Sequence, residues 1–220
     1  MKDPIPRKIP LKFDPFIYPV RQRIKLSLNH DLFEKQFLDV IFSRRSERVS
    51  STINSNQLSQ LLHICTRIHS IQMDESGYVL TQRSTPSGGA RHPVDILVSI
   101  SSPIAKRSLE YYNPIDHSLG ELSLDKVDMG FFFNEISDNL PIDNACIIWF
   151  SIQPEKMNSK YQNPESLYWK ETGALLYCIQ VVSTYLGFKS CPVGTLASNS
   201  FDTLFKTKLL ISGGGILVGI

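Results

Sequence analysis

Three short segments carry side chains whose types and spacing suit chemistry. Residues 43–48 read Ser-Arg-Arg-Ser-Glu-Arg, so three guanidiniums and two hydroxyls stand within six positions. Such a cluster is costly unless water solvates it or an anion matches it, and arginine is the side chain that grips a phosphate through two parallel hydrogen bonds. The plainer reading is an exposed, charged helix end. Residues 86–90, Pro-Ser-Gly-Gly-Ala, offer small side chains and backbone N–H groups that a flat ligand can approach closely. Taken alone they make an ordinary turn. Lys160 precedes Tyr161. Taken alone the pair is a loop lysine beside a packing tyrosine.

Other chemistries find no support. The triplet Gly213-Gly214-Gly215 fails as a dinucleotide fingerprint because Val218 stands where the third glycine of GxGxxG belongs. There is no GxSxG, no HExxH and no Walker lysine. The five histidines, His30, His63, His69, His92 and His117, show no ligand spacing, so no metal site is expected.

The candidate residues need elements to hold them. Asp31 is a plausible N-cap for a helix whose apolar stripe is Leu32, Phe33, Phe37, Leu38, Ile41 and Phe42, and this helix delivers the chain to the arginines. Leu58, Leu61, Leu62, Cys65 and Ile68 mark a second amphipathic helix, capped by Ser55 or Asn56. Residues 78–82 and 94–100 read as strands on either side of the glycine-containing loop. Residues 145–152, Ala-Cys-Ile-Ile-Trp-Phe-Ser-Ile, are apolar almost throughout, which predicts a strand buried on both faces. Asn163 at the cap, Pro164 at the first helical position and Glu165 in the first turn start a long core helix, which Gly187 stops after Leu186. The segment 209–220 reads as a strand interrupted by the glycine triplet.

Bulk properties set the frame. With 220 residues, 42% apolar and 20% charged, the chain is long enough for one sizeable core and too apolar for disorder. A net charge of +2 is too small for a polyanion binder, so nucleic acid is not an expected partner. The charge is concentrated: residues 1–25 carry seven basic and two acidic side chains, with prolines at 4, 6, 10, 15 and 19. The expected organisation is an extended basic arm over residues 1–30, packed on its own core or on a neighbouring subunit, and a single domain over 31–220. Cys65, Cys146, Cys178 and Cys191 lack CxxC spacing and sit among apolar residues. That pattern, with no apolar leader and no membrane-length run, predicts a cytoplasmic protein without a membrane association.

Taken together, the arginine cluster, the Pro-Ser-Gly-Gly-Ala-Arg-His-Pro loop and the stretch from Lys160-Tyr161 to Gly187 resemble the FMN-dependent nitroreductase superfamily, over about residues 40–195. Ala90, where classical members commonly have Asn, favours the SagB-type branch, which includes thiazoline and oxazoline oxidases. The resemblance implies an α+β fold with an antiparallel-rich sheet wrapped by helices, in an intertwined homodimer with FMN at the subunit interface. It implies that Arg44, Arg45, Ser46 and Arg48 hold the phosphate and ribityl of FMN. Pro86, Ser87, Gly88 and Gly89 would approach the ring from the other subunit, and the backbone of Val193 and Gly194 would face flavin N5. Lys160 and Tyr161 match a pair that azoline oxidases keep, and become the catalytic candidates, with Tyr161 the implied base and the neighbouring ammonium of Lys160 favouring its phenolate. The implied reaction is a two-electron oxidation of a small-molecule or peptide substrate, such as an azoline to its azole, with O2 as acceptor and other biosynthetic proteins as candidate partners. The alternatives are a generic NAD(P)H-dependent nitro or quinone reductase, and a flavin-binding scaffold subunit that has lost chemistry.

Overall fold

The computed structural model describes residues 2–28, 34–100 and 103–220. In chain order it forms β1 (Ile5–Pro6), β2 (Val20–Lys25), α1 (Phe37–Ser43), α2 (Ser55–Thr66), β3 (Ile68–Met73), β4 (Val79–Arg83), β5 (Val94–Ser99), β6 (Glu110–Asn113) and β7 (Ser118–Leu122). There follow α3 (Lys126–Ser137), β8 (Cys146–Ile152), α4 (Pro154–Asn158), β9 (Tyr161–Gln162), α5 (Glu165–Leu186), β10 (Lys189–Pro192), α6 (Ser198–Phe205) and β11 (Ile211–Gly219). Seven strands make one antiparallel sheet in the order β10-β11-β8-β5-β6-β7-β2, and the pairs β1–β9 and β3–β4 stand apart from it. The architecture is α+β, as the resemblance implies.

The period-two alternation of strand side chains divides the core. Along β8, whose residues are all buried, Ile148, Phe150 and Ile152 pack with Leu58, Leu61 and Leu62 of α2 and Ile179 of α5. Ile147 and Trp149 point the other way, into Phe132 and Phe133 of α3 and Phe201 of α6. Each such fully buried side chain contributes about 1.5–3 kcal/mol. The continuous hydrophobicity of 145–152 thus has its cause in helices on both faces of the sheet.

Several boundaries differ from the sequence reading. Asp31, Leu32 and Phe33 lie outside the described residues. The described helix α1 begins only at Phe37, after non-helical residues 34–36, and of its stripe Phe37, Leu38 and Phe42 are 70%, 59% and 69% exposed. Asn54, rather than Ser55 or Asn56, caps α2. Its side chain accepts from the Gln57 N–H at 3.0 Å while the Gln57 side chain takes the Asn54 N–H at 2.9 Å, and this reciprocal pair fixes the start one residue earlier. Ile68, read as helical, opens β3. Helix α5 ends at Leu186 with Gly187 at φ 79°, as expected. Its start shifts by one: Pro164 takes the cap position after Asn163 at φ 53°, and Glu165 becomes the first helical residue. The glycine triplet does not interrupt its strand. β11 runs unbroken past a bulge between Ser212 and Gly215, where a Cβ on Gly215 would collide with Trp149 and the Ile148 carbonyl.

The N-terminal segment lies on its own chain. The Arg7 N–H donates to the Lys160 carbonyl (2.7 Å), the Leu11 N–H to the Ser159 carbonyl (2.8 Å) and the Phe16 N–H to Oε1 of Gln153 (2.8 Å). Beyond these anchors, Tyr18 is buried and β2 closes the edge of the sheet against β7.

Candidate active site

Between β4 and β5 the loop carrying Pro86, Ser87, Gly88 and Gly89 is held in part by three of its own backbone N–H groups. The Gly88 N–H donates to Oε1 of Glu171 on α5 (2.8 Å), the His92 N–H to Oγ of Ser87 (2.8 Å), and the Ala90 N–H to the Ser87 carbonyl (3.1 Å). Gly89, Ala90 and His92 all adopt left-handed backbone angles, with φ of 61°, 55° and 44°. Two non-glycine residues in that region within three positions concentrate strain, of a kind that clusters at functional loops.

The loop is laid against the candidate catalytic pair. A Cβ on Gly89 would stand 3.3 Å from Cγ of Lys160 and 3.4 Å from the hydroxyl of Tyr161. Short α4 ends by handing the Lys160 N–H to the Met157 carbonyl (3.0 Å), and β9 fixes Tyr161 opposite Pro6 of β1. Two of the three segments singled out in the sequence therefore meet within one chain. An open groove of about 310 Å³, walled by Pro86, Ser87, Gly88, Leu167, Lys170 and Glu171, runs alongside.

The arginine cluster sits further along α5. The Glu47 N–H donates to the Ser190 carbonyl of β10 (2.9 Å), and Nε2 of Gln180 donates to Oγ of Ser46 (3.3 Å). Arg45 turns back and caps α1 through the carbonyls of Phe42 and Arg44, both at 2.8 Å. The half-buried Arg44 and the exposed Arg48 have no side-chain hydrogen bond or ion pair among the described residues. Nine residues separate Glu171 from Gln180, about 13 Å of helix, so one chain does not bring the arginines to the glycine loop. Val193 is buried and its N–H already donates to the Gly215 carbonyl (2.9 Å). Gly194 is exposed, and its N–H has no hydrogen-bond partner among the described residues.

Reasoning from sequence gave no role to Glu171, His92, Arg83, Asp95 or Lys156. Burial raises the Glu171 carboxyl above the usual glutamate range, against the lowering effect of the Gly88 N–H. Burial, reinforced by the Arg83 charge, drives His92 down to about 3, so its ring is neutral and donates from Nε2 to the Thr81 carbonyl at 2.8 Å. Buried Asp95 pairs with Nζ of Lys156 and accepts from Gln153, both at 2.7 Å. Glu171 and His92 fall inside segments that carry the resemblance, but neither is singled out there. Among the described residues no group of His, Cys, Asp and Glu could hold a metal ion, and no helix is long and apolar enough to cross a membrane.

No protein-family model and no curated protein matches the sequence. Solved structures do match in shape. A candidate nitroreductase from Ralstonia eutropha JMP134 superposes with a TM-score of 0.64 at 16% identity, over 99% of this chain and 96% of that one. A chain of the Escherichia coli microcin synthetase McbBCD complex with truncated pro-MccB17 bound gives 0.60 at 14% identity, over 91% and 78%. A candidate nitroreductase in complex with FMN from Desulfovibrio desulfuricans gives 0.54 at 16%, over 85% and 87%. At these identities the likeness is one of fold, and the chain has the nitroreductase fold.

Proposed function

We propose that this chain is an FMN-dependent oxidoreductase that works as a homodimer and oxidises an azoline ring, or a closely related C–H/N–containing group on a peptide or small molecule, to the aromatic azole. The observation that carries the reading is the pair of guanidiniums, Arg44 and Arg48, that have no partner among the described residues, on a segment tethered by Ser46 and Glu47 to α5 and β10. That donor set suits the phosphate of FMN, and fixed tethers reduce the ordering cost of binding. The FMN of the D. desulfuricans neighbour and the microcin synthetase neighbour support the cofactor and the biosynthetic setting respectively.

Bound FMN would supply the two-electron acceptor. The chain's own residues do the rest. Arg44 and Arg48 bind the phosphate and Gly194 offers an open N–H. The Ser87–Gly89 turn leaves room for a flat ring, and Tyr161, with Lys160 beside it, takes the substrate proton. The exposed Phe37, Leu38 and Phe42 of α1 support the dimer, in which the loop of one subunit reaches the arginines of the other.

The test is to release cofactor from purified protein by heat and identify it against FMN and FAD, then to supply a thiazoline-containing peptide with O2. Released FMN and product lighter by two hydrogen atoms are expected. A protein that neither carries nor takes up FMN would overturn the reading. Bleaching by NAD(P)H without air, with the thiazoline left untouched, would replace azoline oxidation by a generic reductase.

A further inference from the structure

A second cavity, of about 500 Å³, lies on the far side of the Asp95 ion pair, between the β3–β4 turn, the β6–β7 turn and the N-terminal segment. Its walls include Phe13, Tyr78, Tyr111, Arg83, Asp95 and Lys156. The volume falls within the range of small-molecule sites, about 300–1,000 Å³. Phe13 and Tyr78 form an aromatic side, with ring centroids 5.3 Å apart. The charges do not balance evenly. Lys156 is committed to Asp95 at 2.7 Å. Lys12 and Asp14 are exposed and oppose each other at the mouth. Half-buried Arg83 donates from Nε to Oγ1 of Thr81 (2.9 Å) and has no carboxylate within 4.0 Å among the described residues.

We propose that this cavity is a binding site for a small carboxylate with a flat, apolar body, whose carboxylate takes the two terminal nitrogens of Arg83 while its body lies along Phe13, Tyr78 and Tyr111. Burial lowers the Arg83 pKa by more than the attraction of Asp95 on the same wall raises it, so the charged form stays under-solvated even beside that carboxylate. An anion supplied from outside relieves that deficit, and the fork of a guanidinium matches a carboxylate with two parallel bonds. The aromatic walls favour a planar partner through stacking and burial. The inference does not depend on flavin binding, because none of the FMN-binding candidates lines this cavity.

The experiment is a 19F NMR titration of the full chain, with any flavin it carries, using 4-fluorobenzoate and its neutral analogue 4-fluorobenzamide. Saturable broadening of the acid is expected, with the amide about tenfold weaker and Arg83→Gln weakening the acid by about tenfold or more. Arg44→Ala should bind the acid as the unaltered protein does. No saturation, equal binding of acid and amide, or retention in Arg83→Gln each overturns the site. Loss in Arg44→Ala with retention in Arg83→Gln would place the probe at the phosphate arginines and also overturn it. Should Arg83→Gln not fold, Arg83→Lys keeps the charge but loses the fork, and undiminished binding there counts equally against the proposal.

Discussion

Oε1 of Glu171, in the second turn of the longest helix, accepts the Gly88 N–H at 2.8 Å and so pins the strained glycine turn to the core. Glu171→Ala leaves that N–H without its partner, at a cost of about 1–3 kcal/mol, whereas Glu171→Gln keeps an acceptor in place. Faster exchange of the Gly88 amide in the alanine variant, and near-normal exchange in glutamine, is the expected order. The raised carboxyl adds a pH signature. Stability tied to it is full below the ordinary glutamate value and is lost as pH climbs through the raised one, so Glu171→Gln should flatten that slope. Identical exchange in all three proteins would remove Glu171 from the loop's support.

His92 makes the same loop acid-sensitive in the opposite direction. Its pKa falls from 6.5 to about 3 on folding. The unfolded chain therefore takes up a proton that the native chain refuses, and stability drops as pH falls through that window, by about 1.4 kcal/mol per pH unit at most from this group. His92→Gln retains a donor for the Thr81 carbonyl but cannot titrate. Urea melts at pH 7 and pH 4.5 should show a smaller loss in the variant than in the unaltered protein. Equal losses would assign the acid sensitivity elsewhere.

The elements most legible in the sequence are those with a purely local cause. α5 is written in Glu165, a continuous apolar pattern and Gly187, and β8 in its unbroken hydrophobicity. What escaped is set by distant partners. β11 reads as two pieces because its glycines look like a turn, yet Gly215 is small only to admit Trp149 of a strand over sixty residues away. Of the apolar stripe of α1, Phe37, Leu38 and Phe42 stay exposed in a single chain, which no local pattern distinguishes from a buried stripe. The glycine loop and Lys160-Tyr161 are each visible, but their contact is not, since it joins segments about seventy residues apart that share no local pattern. Arg83 and Asp95 left no trace because neither belongs to a motif and only the fold makes a cavity of them.

The arginines separate binding from capping. Arg44→Ala or Arg48→Ala should each weaken FMN retention by about 1.5–3 kcal/mol, roughly ten- to a hundred-fold, through loss of one charge-assisted contact. Arg45→Ala should instead lower helix stability, because Arg45 already serves the carbonyls of Phe42 and Arg44. Flavin fluorescence released during dialysis measures the first effect and thermal melting the second. Full retention in both Arg44→Ala and Arg48→Ala would show that the phosphate is held by other residues.

The exposed stripe on α1 makes a mass prediction. Burying a phenylalanine fully is worth about 1.5–3 kcal/mol, and Phe37 and Phe42 of α1 are both open to solvent in the single chain. Phe37→Glu combined with Phe42→Glu should convert the proposed dimer into a monomer by sedimentation, and the monomer should lose flavin because the proposed site draws on both chains. A double variant that keeps both dimer mass and flavin would move the interface to another face.

Tyr161 and Lys160 can be tested without disturbing the fold, since the neighbouring chain is held through backbone groups: the Lys160 carbonyl accepts the Arg7 N–H, and Tyr161 is paired with Pro6. Tyr161→Phe keeps the ring that packs on the core and removes only the hydroxyl. A proton-transfer role gives about a 10²- to 10⁴-fold loss of turnover with flavin still bound. Lys160→Ala should lower turnover less, since Tyr161 and not Lys160 takes the proton in the proposed reaction. Its side chain also abuts Gly89, so flavin occupancy must be recorded in parallel to separate chemistry from loop packing. Oxygen uptake with the azoline peptide reads the rate in each case. Unchanged turnover in both variants would exclude the pair from proton transfer and pass the role to Glu171, whose raised carboxyl borders the same loop.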